Sequence, residues 1–337
     1  MWNFRRSVID KAPKSIARRP PACHRCVMKQ LHTRDGTALS RLTFGTMQFG
    51  GRADEQASKA MYSGARAAGV NHFDTAVRYN DGASELLLGP MIAPERDSIY
   101  LATKVAFAGG AGKTNILAQF EICRQQLDVD SVDLLYLHRW DDATPLIETF
   151  ETLARLQSDG AIRHIGVSNY AAWQVMKAQA VCASLGTQID VMQPMYNLVK
   201  RQAEVEILPM TADQGIQVCA YSPLGGGLLT GKYARGGTGR LSEDKMYAAR
   251  YNPDWMHAAG AALADMADEL GTDAATLAVA WVAAHPTAPS PIISAKSMAQ
   301  LAPSLAAQDF AMTDALYTQI SALSPTPAPA TDRLEEV

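Results

Sequence analysis

Residues 131–169 have the sequence SVDLLYLHRWDDATPLIETFETLARLQSDGAIRHIGVSN, which contains one complete strand–helix–strand unit. The runs Val132–His138 and Ile162–Ser168 are rich in apolar and β-branched residues and predict strands. Between them, Pro145–Ser158 carries apolar residues at the spacing of an amphipathic helix. Mostly apolar strands that alternate with helices are typical of a parallel sheet covered by helices.

The same alternation continues on both sides of this unit. We predict further strands at Leu42–Gly45, Val70–Asp74, Ile99–Lys104, Val191–Tyr196, Gln217–Ser222 and Ile292–Ser294. Further helices are predicted at Glu55–Ala68, Ile116–Leu127, Ala171–Ser184, Ala203–Gln214, His257–Leu270, Ala274–His285 and from Leu301 onward. Eight such units close naturally into an α/β fold of the (β/α)8 type, the TIM barrel, with parallel strands inside, helices outside and the active site at the C-terminal face. A doubly wound open sheet is the alternative, but its Gly-x-Gly-x-x-Gly fingerprint is absent after the first strand.

Composition limits the classes of function. The 337 residues are 47% hydrophobic and 19% charged, with a formal net charge of −3. This balance gives no reason to expect nucleic acid or an anionic membrane as the main partner. No apolar run is long enough to span a bilayer, and we predict a cytoplasmic protein.

The five cysteines are few and scattered, which favours a reducing compartment over a disulfide framework. Cys23 and Cys26 resemble half of a zinc site, but no second Cys or His pair lies at a matching distance. We therefore predict no metal site.

Both ends of the chain differ from its body. Residues 1–27 carry seven Lys or Arg residues against one acid, Asp10, and we predict a disordered basic extension, with Met28 as the natural start. A transit-like peptide is the alternative. Alternating prolines predict an extended Pro-rich tail at residues 325–337. The catalytic barrel is then a single domain at residues 28–324.

Polar residues close several of the predicted strands. Asp74, Lys104 and His138 lie at such strand ends, and Tyr79 follows in the loop after Asp74. Ionisable groups in apolar strands are costly unless they are paired, so we expect these side chains to meet at the mouth of the barrel. Taken singly, Asp74 and Lys104 could be a structural ion pair, Tyr79 a loop aromatic and His138 a core histidine.

Six segments resemble the aldo-keto reductase family in their order and approximate spacing: Asn71–Ala76, Leu101–Lys104, Leu134–His138, Gly166–Asn169, Gln193–Leu198 and Ala220–Tyr233. The run Gly82-x-Ser84-Glu85-x-x-x-Gly89 after Tyr79 also matches. The resemblance covers about residues 28–324. It implies an NADP-dependent oxidoreductase that reduces aldehydes or ketones to alcohols, with Asp74, Tyr79, Lys104 and His138 as the catalytic residues.

The chemistry of carbonyl reduction agrees with these four residues. The reaction needs a hydride donor and an acid that protonates the developing alkoxide. A free tyrosine, with a pKa of about 10, is a weak acid, and we expect the ammonium of Lys104 to lower the pKa of Tyr79. Asp74 would hold Lys104 in place, and His138 would orient the substrate oxygen or assist proton transfer.

The resemblance also implies a cofactor site for NADPH, with NADH possible. Ser168, Asn169 and Gln193 match side chains that hold the nicotinamide carboxamide, and Tyr221 matches the aromatic residue that stacks on its ring. Near the pyrophosphate, the matching positions are Ser222, Leu224 and Gly226. Lys296, Ser297 and Gln300 match the positions near the 2′-phosphate and adenine. Ser304 stands where the family has Asn, beside Pro303, which departs from the pattern.

We place the substrate pocket at Met47, Phe107, Arg139 and Trp140, on loops at the same face of the barrel. Two roles of Arg139 stay open from the sequence. It could bind an anionic substrate, or it could form an ion pair with Asp141 or Asp142. Two other functions also stay open. Lys104 could form a Schiff base as in barrel aldolases, or the protein could be a non-catalytic nicotinamide-binding sensor or scaffold. The expected partner is a small carbonyl substrate, and the oligomeric state is left open.

Overall fold

The computed structural model of the chain describes residues 30–333 and residue 335. The predicted N-terminal extension at residues 1–27, with Cys23 and Cys26, lies outside the described residues. Within them, the strands form a closed barrel in the order β1 to β8, and every neighbouring pair is parallel. The predicted (β/α)8 fold is therefore confirmed.

The strands are short and almost completely buried. Their bounds are Thr43–Gly45 (β1), His72–Asp74 (β2), Tyr100–Val105 (β3), Val132–Leu137 (β4), Ile162–Ser168 (β5), Val191–Gln193 (β6), Gln217–Ala220 (β7) and Ser290–Ile293 (β8). Burial on both faces explains why these strands are mostly apolar instead of alternating with polar residues.

Helices cover the outside of the barrel. Their bounds are Glu55–Ala67 (α1), Ala83–Ile92 (α2), Lys113–Leu127 (α3), Leu146–Ser158 (α4), Ala172–Ser184 (α5), Ile207–Gln214 (α6), Arg240–Glu243 (α7), Lys245–Arg250 (α8), Asp254–Glu269 (α9), Ala274–Ala283 (α10), Met298–Ala306 (α11) and Asp314–Ser321 (α12). Short 3₁₀ turns lie at Tyr79–Gly82, Ala93–Ser98, Gln202–Glu204 and Gly225–Thr230. No helix in residues 30–333 is both long enough and apolar enough to cross a membrane.

Some element bounds differ from the sequence prediction. The helix predicted at Ala203–Gln214 is a 3₁₀ turn followed by α6, because Pro209 fits in a first helical turn, where its missing N–H needs no partner. Strand β8 begins at Ser290, earlier than predicted, because Pro291 is tolerated near the start of a strand.

Helix α2 was not predicted at all. Its sequence, ASELLLGPMI, contains Gly89 and Pro90, two residues that normally interrupt a helix. The packing explains the glycine, since a Cβ at Gly89 would lie 2.5 Å from the backbone oxygen of Leu127 in α3. Gly89 thus allows a close helix contact that a larger residue would prevent.

An ionic cluster lies at the N-terminal end of the barrel. Asp133, near the start of β4, has a fully buried side chain that pairs with Arg96 at 2.7 Å and Arg163 at 2.8 Å. It also accepts a hydrogen bond from the backbone N–H of Leu101 at 2.9 Å. This cluster joins neighbouring strands at the face opposite the predicted active site, where residues commonly serve stability.

Candidate functional site

A cavity of about 950 Å³ opens at the C-terminal face of the barrel. Most of the site residues predicted from the sequence line it: Met47, Asp74, Tyr79, Phe107, His138, Arg139, Ser168, Asn169, Gln193, Tyr221, Ser222, Leu224, Gly226, Lys296 and Gln300. Lys104 lies beneath its floor, and Ser297 and Trp140 are not among the lining residues. The barrel thus brings together side chains from the ends of all eight strands and the loops that follow them.

Lys104, in β3, is the most deeply buried cation of the site, with a side chain that is 0% exposed. Its ammonium group donates a short hydrogen bond to Asp74 Oδ1 and a second one to the carbonyl oxygen of Thr75 at 2.8 Å. It lies 3.3 Å from the hydroxyl oxygen of Tyr79. A buried ammonium with two fixed acceptors can point its remaining N–H at the phenol.

Asp74 completes this arrangement at the end of β2. Its second oxygen, Oδ2, accepts a hydrogen bond at 2.9 Å from Nε2 of Gln193, at the end of β6. Burial lowers the pKa of Lys104, but the charge of Asp74 and the hydrogen bonds to Asp74 and Tyr79 raise it, and the net shift of the Lys104 pKa is upward. Lys104 is therefore a permanent cation at neutral pH.

Two effects act on the pKa of Tyr79 in opposite directions. Burial raises that pKa, and the Lys104 ammonium lowers it, which is the direction expected from the sequence. The net shift is upward, because desolvation of the phenolate outweighs a single nearby cation. Tyr79 is protonated at neutral pH, the state that a proton donor requires.

His138 follows β4 directly, and its backbone N–H donates to the carbonyl oxygen of Val105 at 2.8 Å. Its ring packs edge-on against the ring of Tyr79, with centroids 5.9 Å apart. Burial lowers the pKa of His138 to about 3, with a further contribution from Lys104 and Arg139. The imidazole is neutral at physiological pH, so it can donate or accept a hydrogen bond but carries no charge.

A polar network follows β5 and β7. Asn169 donates through Nδ2 to the His138 carbonyl oxygen at 2.9 Å and accepts from the Tyr221 hydroxyl at 2.8 Å. Ser168 Oγ donates to the carbonyl oxygen of Gln193 at 3.0 Å. These contacts place the predicted carboxamide-binding side chains next to one another and hold Tyr221 against the cavity.

The glycine-rich loop after β7 forms one wall of the cavity. Gly226 and Gly227 have positive φ angles of 67° and 95°, and a Cβ on Gly226 would lie 2.8 Å from Cδ1 of Tyr247. Burial and the nearby Lys296 lower the pKa of Lys232. Within residues 30–333 neither ammonium group has an ion-pair partner. Half-buried glycine backbone and two ammonium groups without an ion-pair partner would suit a pyrophosphate and a 2′-phosphate.

The segment from β8 into α11 carries the residues that the resemblance assigns to the 2′-phosphate and adenine. Lys296 follows β8, Ser297 precedes α11 and Gln300 lies in its first turn. Ser304, at the family's Asn position, is buried, and its hydroxyl has no partner among the described residues. Pro303 lines the cavity without ending α11, which continues to Ala306. The residues present therefore fit a phosphorylated dinucleotide at the phosphate groups better than at the base.

The predicted substrate-pocket residues separate into two groups. Met47 and Phe107 are 37% and 45% exposed and line the cavity, as does Arg139. Trp140 instead packs against Tyr170 and Trp173, with ring centroids 5.1 Å and 5.7 Å away. Arg139 lies in a bend of the chain after β4, and the side chains of Arg139 and Trp140 leave it in different directions.

Several residues of the cavity wall were missed by the sequence analysis. They are Gln48, Arg52, Arg78, Lys232, Arg240, Glu243, Tyr247 and Arg250. Arg78 adjoins Tyr79, and Lys232 lies within the glycine-rich segment, so position in the chain could have indicated both. Tyr247 and Arg250 lie in α8, a short helix that does not directly follow a strand, so the search of strand ends did not find them.

The comparisons with known proteins agree with this geometry. The family model described as the Aldo/keto reductase family matches residues 41–325. The uncharacterized oxidoreductase YrpG of Bacillus subtilis (strain 168) is 31% identical over 315 residues, 87% of this chain and 95% of that protein. Aflatoxin B1 aldehyde reductase member 2 of Rattus norvegicus is 38% identical over 206 residues, 59% of this chain and 55% of that protein.

A third relative is named as a channel subunit and not as a reductase. A probable voltage-gated potassium channel subunit beta of Arabidopsis thaliana is 32% identical over 293 residues, 82% of this chain and 89% of that protein. The family match spans all eight strands of the barrel and every residue that we assign to the cavity.

Proposed function

We propose that this chain, which belongs to the aldo/keto reductase family, reduces the carbonyl group of aldehydes or ketones to an alcohol with NADPH. Tyr79 is the proton donor of the proposed reaction, and Lys104, Asp74 and His138 assist it. Family membership supports an oxidoreductase, and the relative named as an aldehyde reductase supports a carbonyl substrate. The identity of the acid and the choice of cofactor rest on the site.

One observation carries the proposal. The Tyr79 hydroxyl faces the cavity and lies 3.3 Å from the ammonium of Lys104, which is itself completely buried and bonded to Asp74. A structural ion pair alone would not require a partly exposed phenol at this distance. This arrangement supports Tyr79 as the acid, because a protonated phenol with a fixed cation behind it lines the cavity.

The residues of the cavity fit a nicotinamide dinucleotide. Ser168, Asn169 and Gln193 would hold the carboxamide, Tyr221 would stack on the ring, and the loop at Gly226 would receive the pyrophosphate. When bound, NADPH supplies the hydride that the reaction requires. The chain's own residues supply everything else: they orient the carbonyl, deliver the proton and exclude water from the floor of the cavity.

The proton moves from the Tyr79 hydroxyl to the carbonyl oxygen as that oxygen gains negative charge. The Lys104 ammonium stabilises the phenolate that remains. Little rearrangement is needed, because Asp74 and the Thr75 carbonyl already hold the ammonium group in position. His138, neutral and next to the Tyr79 ring, can donate a hydrogen bond to the substrate oxygen and so orient it.

A preference for NADPH over NADH follows from Lys296 and Lys232. Both line the cavity, and the charge of Lys296 contributes to lowering the pKa of Lys232, so the two cations are close enough to repel each other. A bound 2′-phosphate, carrying nearly two negative charges, would relieve this repulsion. NADH lacks that phosphate, so the repulsion between the two cations would remain when NADH is bound.

The aldolase alternative is disfavoured by the state of Lys104. A Schiff base requires a neutral amine as the nucleophile. Here the amine is a cation with an upward-shifted pKa, bonded to Asp74 and covered by the cavity floor.

The sensor or scaffold alternative keeps one supporting observation, the relatives named as potassium channel beta subunits. Such a protein would bind the cofactor without needing an acid. Turnover separates it from the proposed reductase.

The test is NADPH-dependent reduction of a panel of aldehydes and ketones, followed by loss of nicotinamide absorbance. We expect turnover in the parent and its near-abolition in Tyr79→Phe. Tight NADPH binding without turnover on any carbonyl of the panel would instead support the sensor, and carbonyl condensation trapped by borohydride on Lys104 would support the aldolase.

A further inference from the structure

Two arginines of the cavity wall adjoin the proposed catalytic residues in the chain. Arg78 immediately precedes Tyr79, and Arg139 immediately follows His138. Both side chains are exposed, and both line the cavity. They come from the loops after β2 and β4, which flank β3 and Lys104 in the barrel.

Arg139 pairs with neither of its neighbouring acids. Asp141 instead accepts hydrogen bonds from the backbone of Ala111 at 2.7 Å and from the Thr144 hydroxyl at 2.6 Å. Asp142 accepts from the indole N–H of Trp140. The alternative left open by the sequence, a local ion pair for Arg139, is therefore not the arrangement found.

Neither guanidinium group has a hydrogen-bond or ion-pair partner within residues 30–333. Arg139 has one defined contact, with its Cζ 5.1 Å from the centroid of the Phe107 ring. That ring lies 5.1 Å from the ring of His138, which in turn lies 5.9 Å from the ring of Tyr79. A continuous line of contacts thus connects the proton donor to a cation without a counter-ion.

These arginines are separate from the phosphate end of the cavity. Arg139 follows β4 and Lys296 follows β8, and these two strands lie on opposite sides of a closed eight-stranded barrel. Binding of cofactor phosphates near Lys296 therefore does not explain the presence of a cation at Arg139. Nor is it neutralised by acids of the cavity wall. Asp74 bonds to Lys104, Glu243 bonds to Arg52 at 2.7 Å, and Asp273, just before α10, forms no ion pair with Arg139.

We propose that the preferred substrates of this site are aldehydes or ketones that carry a carboxylate, and that Arg139, assisted by Arg78, binds it. The proposal rests on the proposed function and adds a substrate class to it. The planar guanidinium matches the two oxygens of a carboxylate, and stacking on Phe107 holds it ready. Phe107 and Met47 supply apolar surface for the carbon skeleton between the carbonyl and the acid.

Two substrates that differ only in charge give the sharpest test. We would measure kcat and KM for 4-carboxybenzaldehyde and for its methyl ester, in the parent and in Arg139→Gln, Arg78→Gln and the double variant. The parent should prefer the acid. In Arg139→Gln, the ratio of the two kcat/KM values should fall by roughly tenfold, the lower end for a hydrogen bond to a charged group.

The change should appear in KM for the acid, because the carboxylate is bound equally in the ground state and the transition state. The ester should keep its kinetic constants. Arg139→Lys should retain part of the preference, since it keeps the charge and loses the planar fork. Arg155→Gln is the matched control, because Arg155 lies on α4, pairs with Asp159 and does not line the cavity.

Equal use of acid and ester by the parent would overturn the proposal. So would an equal loss for both substrates in Arg139→Gln, which would make Arg139 a positioning residue for His138. A second measurement does not depend on turnover: calorimetric binding of the product acid, 4-(hydroxymethyl)benzoate, in the presence of NADP⁺. Binding that weakens about tenfold in Arg139→Gln supports the carboxylate site even if no carbonyl is reduced, and unchanged binding refutes it.

Discussion

The ammonium group of Lys104 lies 3.3 Å from the hydroxyl oxygen of Tyr79, at the boundary between a completely buried ion pair and an open cavity. This relationship assigns different roles to two neighbouring groups. Lys104 cannot reach a substrate, because its three N–H donors point at Asp74, at the Thr75 carbonyl and at Tyr79. Tyr79 can, because its ring forms part of the cavity wall.

Lys104→Met should lower both turnover and stability. The variant removes the cation that stabilises the phenolate and leaves the carboxylate of Asp74 buried without its counter-ion, a change that typically costs roughly 3–5 kcal/mol in the free energy of unfolding. Denaturant unfolding and steady-state kinetics measure the two effects. The double variant Lys104→Met with Asp74→Leu should recover much of the stability and none of the activity. Full activity in either variant would contradict the role of Lys104.

The Asp133 cluster at the other end of the barrel should affect stability alone. Asp133→Asn keeps the shape of the side chain but leaves Arg96 and Arg163 without their buried counter-ion. We expect a loss of about 2 kcal/mol, below the range for fully buried pairs because Arg163 is partly exposed. In the protein that remains folded, kcat should be unchanged. A fall in kcat without a fall in stability would contradict the division of the barrel into a stabilising face and an active face.

His138 should make the stability depend on pH. Its pKa is about 3 in the folded protein against 6.5 ordinarily, so the unfolded chain binds the proton first as the pH falls. The stability present above pH 6.5 is therefore lost progressively as the pH falls from 6.5 towards 3. The difference in unfolding free energy between the parent and His138→Asn should shrink over that window. An unchanged difference would mean that His138 is not held neutral by burial.

Lys296 should select the cofactor. In Lys296→Ala, kcat/KM for NADPH should fall by roughly ten- to a hundredfold, the worth of a hydrogen bond to a charged group, whereas the value for NADH should change little. Lys177→Ala, at an exposed position on α5 away from the cavity, is the matched control. Equal use of both cofactors by the parent, or an equal loss for both in the variant, would make Lys296 an ordinary surface lysine.

The barrel could be predicted from the sequence because its strands are buried on both faces and are therefore recognisable as apolar runs. The strand ends at Asp74, Lys104 and His138 were also visible, since ionisable groups rarely interrupt such runs without a partner. Helix α2 was missed because Gly89, which permits its contact with Leu127, is also a residue that weakens helices.

The rest of the site depends on side-chain directions that a sequence does not show. Arg139 and Trp140 are adjacent, yet one lines the cavity and the other packs against Trp173 outside it. The pKa of Tyr79 depends on a balance between burial and the charge of Lys104, and only the structure shows that burial prevails. Arg250 and Tyr247 line the cavity but belong to a short helix that is distant in sequence from the nearest strand.

The most direct test of the account is the kcat/KM of Tyr79→Phe for a carbonyl substrate, measured together with NADPH affinity by fluorescence titration. Removing a positioned acid should lower kcat/KM by roughly two to four orders of magnitude. NADPH affinity should be preserved, because Tyr79 is not among the residues assigned to hold the cofactor. Near-normal reduction by Tyr79→Phe would contradict the central claim and assign the proton to another group of the cavity.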